Sequence, residues 1–518
     1  MASIDVTEIL KSSNASATYQ PARKKSRFDA EPSSSSSAPP ANAEDILAAL
    51  ESDQANFTPL DDVQVRKLVG QLEKRYDPKK FMDSEIELDT AIQEMHTLAT
   101  QPDLYGVFVS ANGVEILLQL LGHENSDIIC ATLNLLQELT DVDILNEGDE
   151  GAVELVESLS NGSIITTLLS CFERLDEKEK DESDGIHNGL SVVENMIEFR
   201  DETTEECVKQ GFIVWLLKRC FQKSPFDANK MYASELLSMI LQSSDSAKSK
   251  LTEKVDGIDI LLRAIAVYKK SDPTSVDERE YMENLFNALC AALMWPENRK
   301  KFLDGEGLQL MNLMLREKKQ SRQSALKVLD HATSGVEGIE NCNKLVEMLG
   351  LRTIFPLFMR TPSKVKRKDT TPDEHEEHVC TILSSLLSSC SENHRERIVQ
   401  KFVEHEHEKV DRAVELFLKY KEKTGSSEED DEDREYLDKL DNGLYSLQRL
   451  SLILADVTVC VPSARQRAQK LFSMKMSNDR LDTILSPILE EYYENLGLDA
   501  LDERKRVISL IESISSFY

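Results

Sequence analysis

The chain has 518 residues, and 93 Asp and Glu outweigh 61 Lys and Arg to give a formal net charge of -32. A body this acidic repels nucleic-acid phosphates, so no direct contact with DNA or RNA is expected; basic partners are favoured instead. No apolar run reaches membrane length, since Leu450 to Val461 is short and carries Asp456, and no signal-peptide core opens the chain.

The nine cysteines lack paired spacing. Cys130, Cys171, Cys220, Cys290 and Cys342 therefore read as small core residues in a reducing, intracellular setting.

Residues 1–60 are poor in large apolar side chains and contain Ser33 to Ser37 and Pro39-Pro40, so they read as a disordered tail. Within it, Arg23, Lys24, Lys25 and Arg27 form a short basic cluster of the kind an import receptor holds. Residues 61–105 read as N-terminal capping helices. Val63, Val65, Leu68 and Leu72 mark the first. Ser84 and Glu87 form a capping box ahead of Leu88, Ile92, Met95 and Leu98 in the second.

The stretch Asn112 to Asp141 carries two helical stripes. Val114, Leu117, Leu118 and Leu121 form one; Ile129, Leu133, Leu136 and Leu139 form the other, with Ser126 or Asp127 as the expected cap between them. The opening phrase, GVEILLQLL at Gly113, returns at Gly162, Gly211, Gly257, Gly307 and Gly350, about every 43 to 50 residues, within or just above the range of armadillo and HEAT arrays. A second apolar helix follows each phrase, beginning near Ile128, Ile186, Asn229, Glu283, Gln323 and Glu376. The glycine reads as permission for a tight bend between packed helices.

The expected fold is thus all-α: an armadillo/HEAT-like helical repeat solenoid over residues 106–390, with helical caps at both ends. Two inserts interrupt the array. Asp176 to Asp184 is a charge run, and Thr361 to Asp373 carries Lys364, Lys366, Arg367 and Lys368. Residues 391–518 form a C-terminal helical region with an acidic loop at 425–433 (Glu428, Glu429, Asp430, Asp431 and Asp433), after which Leu440, Leu444, Leu447 and Leu450 start a long helix.

Catalytic signatures are missing: there is no phosphate loop, no dinucleotide fingerprint and no nucleophile elbow. His375, His378 and Cys380, or His405 and His407, lack the spacing of a zinc site and read as exposed helix histidines. Trp215 and Trp295 read as core residues of apolar helices. No enzyme, cofactor or metal is expected; the surface of the array is left to carry function. A stack of helices presents a concave groove built from the last helix of each repeat, where carboxylates would select lysine and arginine.

Four long stretches, Phe81 to Tyr105, Ser224 to Leu237, Gly305 to Ala332 and Leu349 to Met359, resemble the beta-catenin-like family of nuclear armadillo-repeat proteins, and the resemblance runs from about Asp61 to the C-terminus. It implies a nuclear, non-enzymatic scaffold of the pre-mRNA splicing machinery. Such a scaffold joins the nineteen complex and binds basic nuclear-localisation-type segments of partners, among them a Myb-related splicing factor and, in vertebrates, an antibody-diversifying deaminase.

The peptide-binding armadillo pattern AAWALSNLA, laid on this chain, puts Asn134 at its aromatic position and Glu138 at its backbone-gripping position. It places Ser191 and Asn195 at the same two points one repeat on, and His331, beside Asp330, at the gripping position further along. Glu198 and Glu235 lie on corresponding helices. The Trp/Asn ladder of import receptors is not reproduced, which weighs against the alternative of an importin-alpha-type adaptor and favours a groove led by carboxylates.

Overall fold

The computed structural model describes residues 60–518 apart from 76–82, 149, 223–224, 254–255, 363–370, 426–431, 477–479 and 498–499. The basic cluster at Arg23–Arg27, the patch at Lys364–Lys368 and most of the acidic loop lie outside the described residues. Those that are described form helices and turns, with no strand among them. They divide into two compact units, one ending at Trp215 and one running from Leu216 to Tyr518.

In residues 60–215, the helices Asp62–Arg75 and Asp83–Met95 precede a triad: short Tyr105–Ser110, medium Gly113–Leu120 and long Ser126–Leu139. A second triad follows, Glu150–Asn161, Ile164–Phe172 and Lys180–Phe199, in which the third helix is again the longest. The Ser126–Leu139 helix forms because Ile129, Leu133, Leu136 and Leu139 make one stripe, and all four are buried as expected. Its cap is Asn125 rather than Ser126 or Asp127: the Asn125 side chain accepts the Asp127 backbone N–H at 2.9 Å. The charge run at Asp176 is not all loop. From Lys180 onward it is helix, with Asp181 and Glu182 in the first turn, where the helix dipole favours anions.

Residues 216–518 repeat the triad three times: Asp245–Glu253, Gly257–Ile265 and Val276–Ala292; Pro296–Asp304, Gly307–Glu317 and Arg322–Thr333; Ile339–Glu347, Leu351–Met359 and Pro372–Ser389. Helical stacking continues without the glycine phrase. Glu392–Thr424 breaks at 404–407, where His405, Glu406 and His407 all take positive φ (52°, 55° and 69°). Leu444–Cys460 packs on both this broken helix and Pro372–Ser389, as a third helix does. The long helix expected from Leu440 is split, because Gly443 turns left-handed (φ 94°) between Glu432–Asp441 and Leu444–Cys460.

Gly211 makes the expected left-handed turn (φ 87°), but two other phrase glycines act differently. At Gly113 and Gly307 the left-handed turn is made by the preceding residue, Asn112 (φ 65°) or Glu306 (φ 60°). What each glycine supplies is room. A Cβ on Gly113 would lie 2.1 Å from the Phe108 ring, and one on Gly307 would lie 2.3 Å from the Phe302 ring. A buried ring five residues back thus seats each medium helix on the short one before it. Trp215 packs on Phe172 and Phe212, with centroids at 5.1 and 6.1 Å. Trp295 is not inside an apolar helix but at the N-cap of Pro296–Asp304.

Candidate functional site

In residues 60–215 the third helices Ser126–Leu139 and Lys180–Phe199 pack side by side. They carry Asn134, Glu138, Ser191, Asn195 and Glu198. Asn188 Nδ2 donates to Asn134 Oδ1 at 3.4 Å, which joins the two helices. Ser191 and Asn195 are half-buried one turn apart, and Glu198 is exposed. The Asn195 amide nitrogen has no hydrogen-bond partner among the described residues. Glu138 keeps 43% of its side chain in solvent, and its Oε2 lies 2.6 Å from Nδ1 of His96, which arrives from the N-terminal cap. Nothing in the periodicity of the sequence points to His96, since it belongs to a short helical turn outside the repeat phrase. Glu138 and Asp141 also face the buried Tyr105 hydroxyl; burial first, and these two carboxylates second, hold that phenol well above its ordinary range.

The remaining positions lie in residues 216–518. Glu235 is half-buried on Ala228–Ser243. Asp330, expected at the groove, is only 14% exposed; its Oδ2 meets His378 Nδ1 at 2.9 Å, and the Ser334 hydroxyl donates to its Oδ1 at 3.1 Å. Burial pulls the His331 imidazole down to about 4, against which the nearby Asp330 acts only in part, so His331 is neutral near pH 7.

Of the histidines read as exposed, His405 is exposed and His378 and His407 are half-buried, but His375 is not exposed at all. His375 is buried, with Nε2 at 3.2 Å from the Leu357 carbonyl and Nδ1 at 3.2 Å from Gln323 Oε1. Burial holds its pKa below the ordinary value. Helix periodicity could not reveal this, because the covering groups come from other helices. No group of three or more potential metal ligands occurs among the described residues, and no single helix there is long and apolar enough to cross a membrane.

Stacked triads of two shorter helices and a long third one, with polar side chains ranged along the long ones, define an armadillo-type repeat protein. The sequence profile of the family described as "Catenin-beta-like, Arm-motif containing nuclear" matches residues 42–488, and the chain belongs to that family. The description supports a nuclear location. Human beta-catenin-like protein 1 is 47% identical over 491 residues, spanning 88% of this chain and 86% of that protein. The fission yeast (Schizosaccharomyces pombe) beta-catenin-like protein 1 homolog is 30% identical over 503 residues, spanning 91% and 85%. Among solved structures, the crystal structure of SYS-1 aligns with a TM-score of 0.52 at 10% identity, covering 88% of this chain and 75% of that one, a likeness of fold alone.

Proposed function

We propose that this chain is a non-enzymatic nuclear scaffold of the pre-mRNA splicing machinery, associated with the nineteen complex, that binds basic nuclear-localisation-type segments of partner proteins such as a Myb-related splicing factor. The observation that carries the binding reading is the pair of adjacent third helices in residues 60–215, where Glu138 is 43% exposed beside Asn134, Ser191 and Asn195. Carboxylates there attract lysine and arginine, and amide side chains suit an extended backbone. A chain of net charge -32 adds long-range attraction for the same partners. Membership of a family described as nuclear supports the nuclear part of the reading.

Affinity capture from nuclear extract with the full chain as bait tests the reading. Splicing proteins should be retained. Recovery of import receptors and their cargo without splicing proteins would favour the import-adaptor alternative and sink the scaffold. The tail is a separate element: an import receptor captures it through Arg23, Lys24, Lys25 and Arg27. Replacing Lys24 and Lys25 with alanine should then shift a fluorescently tagged chain toward the cytoplasm. Unchanged nuclear accumulation would remove the import role from that cluster.

A further inference from the structure

A buried polar cluster joins the Pro372–Ser389 helix to the broken helix after it, and the peptide-binding reading makes no use of it. At its centre is Thr361, just beyond the end of the Leu351–Met359 helix. Its hydroxyl donates to Glu376 Oε1 and accepts from Arg412 Nη2 at 2.6 Å. Glu376, only 6% exposed, also accepts from Lys419 Nζ at 2.6 Å, the Tyr420 hydroxyl at 2.8 Å and Arg412 Nη2 at 3.3 Å. Arg412 Nε donates in turn to the Phe358 carbonyl at 3.2 Å. One cluster therefore ties three segments: the end of Leu351–Met359, the start of Pro372–Ser389, and residues 408–424. Burial alone would raise the Glu376 carboxyl, but hydrogen bonds from Lys419, Thr361 and Tyr420 outweigh it and hold the group below its ordinary value. Pro362 directly follows Thr361. Thr-Pro is the dipeptide that proline-directed kinases read.

We propose that Thr361 is a phosphorylation site for a proline-directed kinase, and that the phosphate unlocks the joint around Glu376. In the transfer, Thr361 Oγ1 attacks the γ-phosphorus of the kinase-bound nucleoside triphosphate. The Oγ1–P bond forms, the bond from that phosphorus to the β–γ bridging oxygen breaks, the nucleoside diphosphate leaves, and the hydroxyl proton passes to the kinase's carboxylate base. The product carries a charge of about -1.5 to -2 and no hydroxyl proton. Glu376 loses a donor and gains an anion beside its buried carboxylate. Arg412, already in contact with Oγ1, turns to the phosphate, because a guanidinium pairs bidentately with phosphate oxygens. That withdraws a second donor from Glu376, and the seam between the two long helices opens.

The test treats the full chain with a purified proline-directed kinase and ATP, maps the phosphate by mass spectrometry, and follows backbone amide exchange. Phosphate should appear on Thr361. Amides of 372–389 and 408–424 should exchange about tenfold faster, while those of 126–139 stay unchanged. Thr361→Ser keeps the hydroxyl and should reproduce both results; Thr361→Val should show no kinase-dependent change in these helices. Modification of Thr371 with none on Thr361 would overturn the site. Phosphate on Thr361 with unaltered or slower exchange would overturn the unlocking.

Discussion

Residues 60–215 and residues 216–518 are built from the same triad, yet they treat the carboxylates of their long helices differently. In the first, Glu138 meets one histidine and leaves 43% of its side chain in water. In the second, Asp330 is 14% exposed against His378, Glu376 is held by Lys419, Arg412 and Tyr420, and Asp456 is 2% exposed between Arg395 and Arg506. A carboxylate spent on bracing its own fold has little left for a partner. The contrast makes the long helices of residues 60–215 the place to seek binding, and those of residues 216–518 the place to seek stability.

The sharpest way to break this contrast is Asp456→Ala. It leaves two guanidiniums facing each other without their shared anion, and should destabilise the C-terminal helices by about 3–5 kcal/mol in chemical denaturation. A loss under about 1 kcal/mol would mean that the bracing is no stronger than a surface ion pair. Leu133→Ala, at a fully buried position, should cost about 2–5 kcal/mol through the cavity it leaves. Repeat proteins distribute stability among neighbours, so this loss should emerge as an earlier transition of residues 60–215. A change within error would mean that the inward face of this helix has been misassigned.

A third measurement concerns pH. His331 sits near 4 in the fold against an ordinary 6.5. Below 6.5 the unfolded chain takes up a proton that the fold refuses, so stability is present above that value and is lost as pH falls toward 4. Between about pH 7.5 and about pH 5 the loss from this group should be roughly 1–2 kcal/mol. His331→Gln should flatten that part of the slope; an unchanged slope would assign it to other groups. The smallest effect is the one that bears on function. Glu138→Lys should weaken a Lys/Arg-rich peptide tenfold or more, about 1.4 kcal/mol, without disturbing the fold, and binding to the wild type should weaken as salt rises. Equal affinities in the two proteins would take Glu138 out of the site, and salt-insensitive binding would take electrostatics out of the mechanism.

Much of the fold was legible because leucine stripes and a recurring glycine phrase are local signals. Ile129, Leu133, Leu136 and Leu139 announce a buried face on their own. The first helix of each triad was not legible: Pro296–Asp304 reads as PENRKKFLD, and its place rests on the Phe302 ring against Gly307 and on buried Asn298 and Arg299, which donate to the Lys248, Ala292 and Leu293 carbonyls. The polar sites were legible only as positions. That Glu138 would meet His96, that Asp330 would meet His378, and that His375 would be buried depend on groups from other helices, most of them about one repeat away in sequence. Neither hydrophobic period nor cap chemistry reports on such distant pairs.

That spacing matters before the chain is complete. His96 and Glu138 lie 42 residues apart, Glu376 and Lys419 lie 43 apart, and Asp330 and His378 lie 48 apart. At roughly 5–20 residues per second of synthesis, each brace waits about 2–10 seconds for its other half to emerge from the ribosome. During that interval the newest long helix has its leucines covered from one side only. The order in which the braces close therefore follows translation, and a stall soon after one repeat leaves that repeat as the exposed end of the nascent chain.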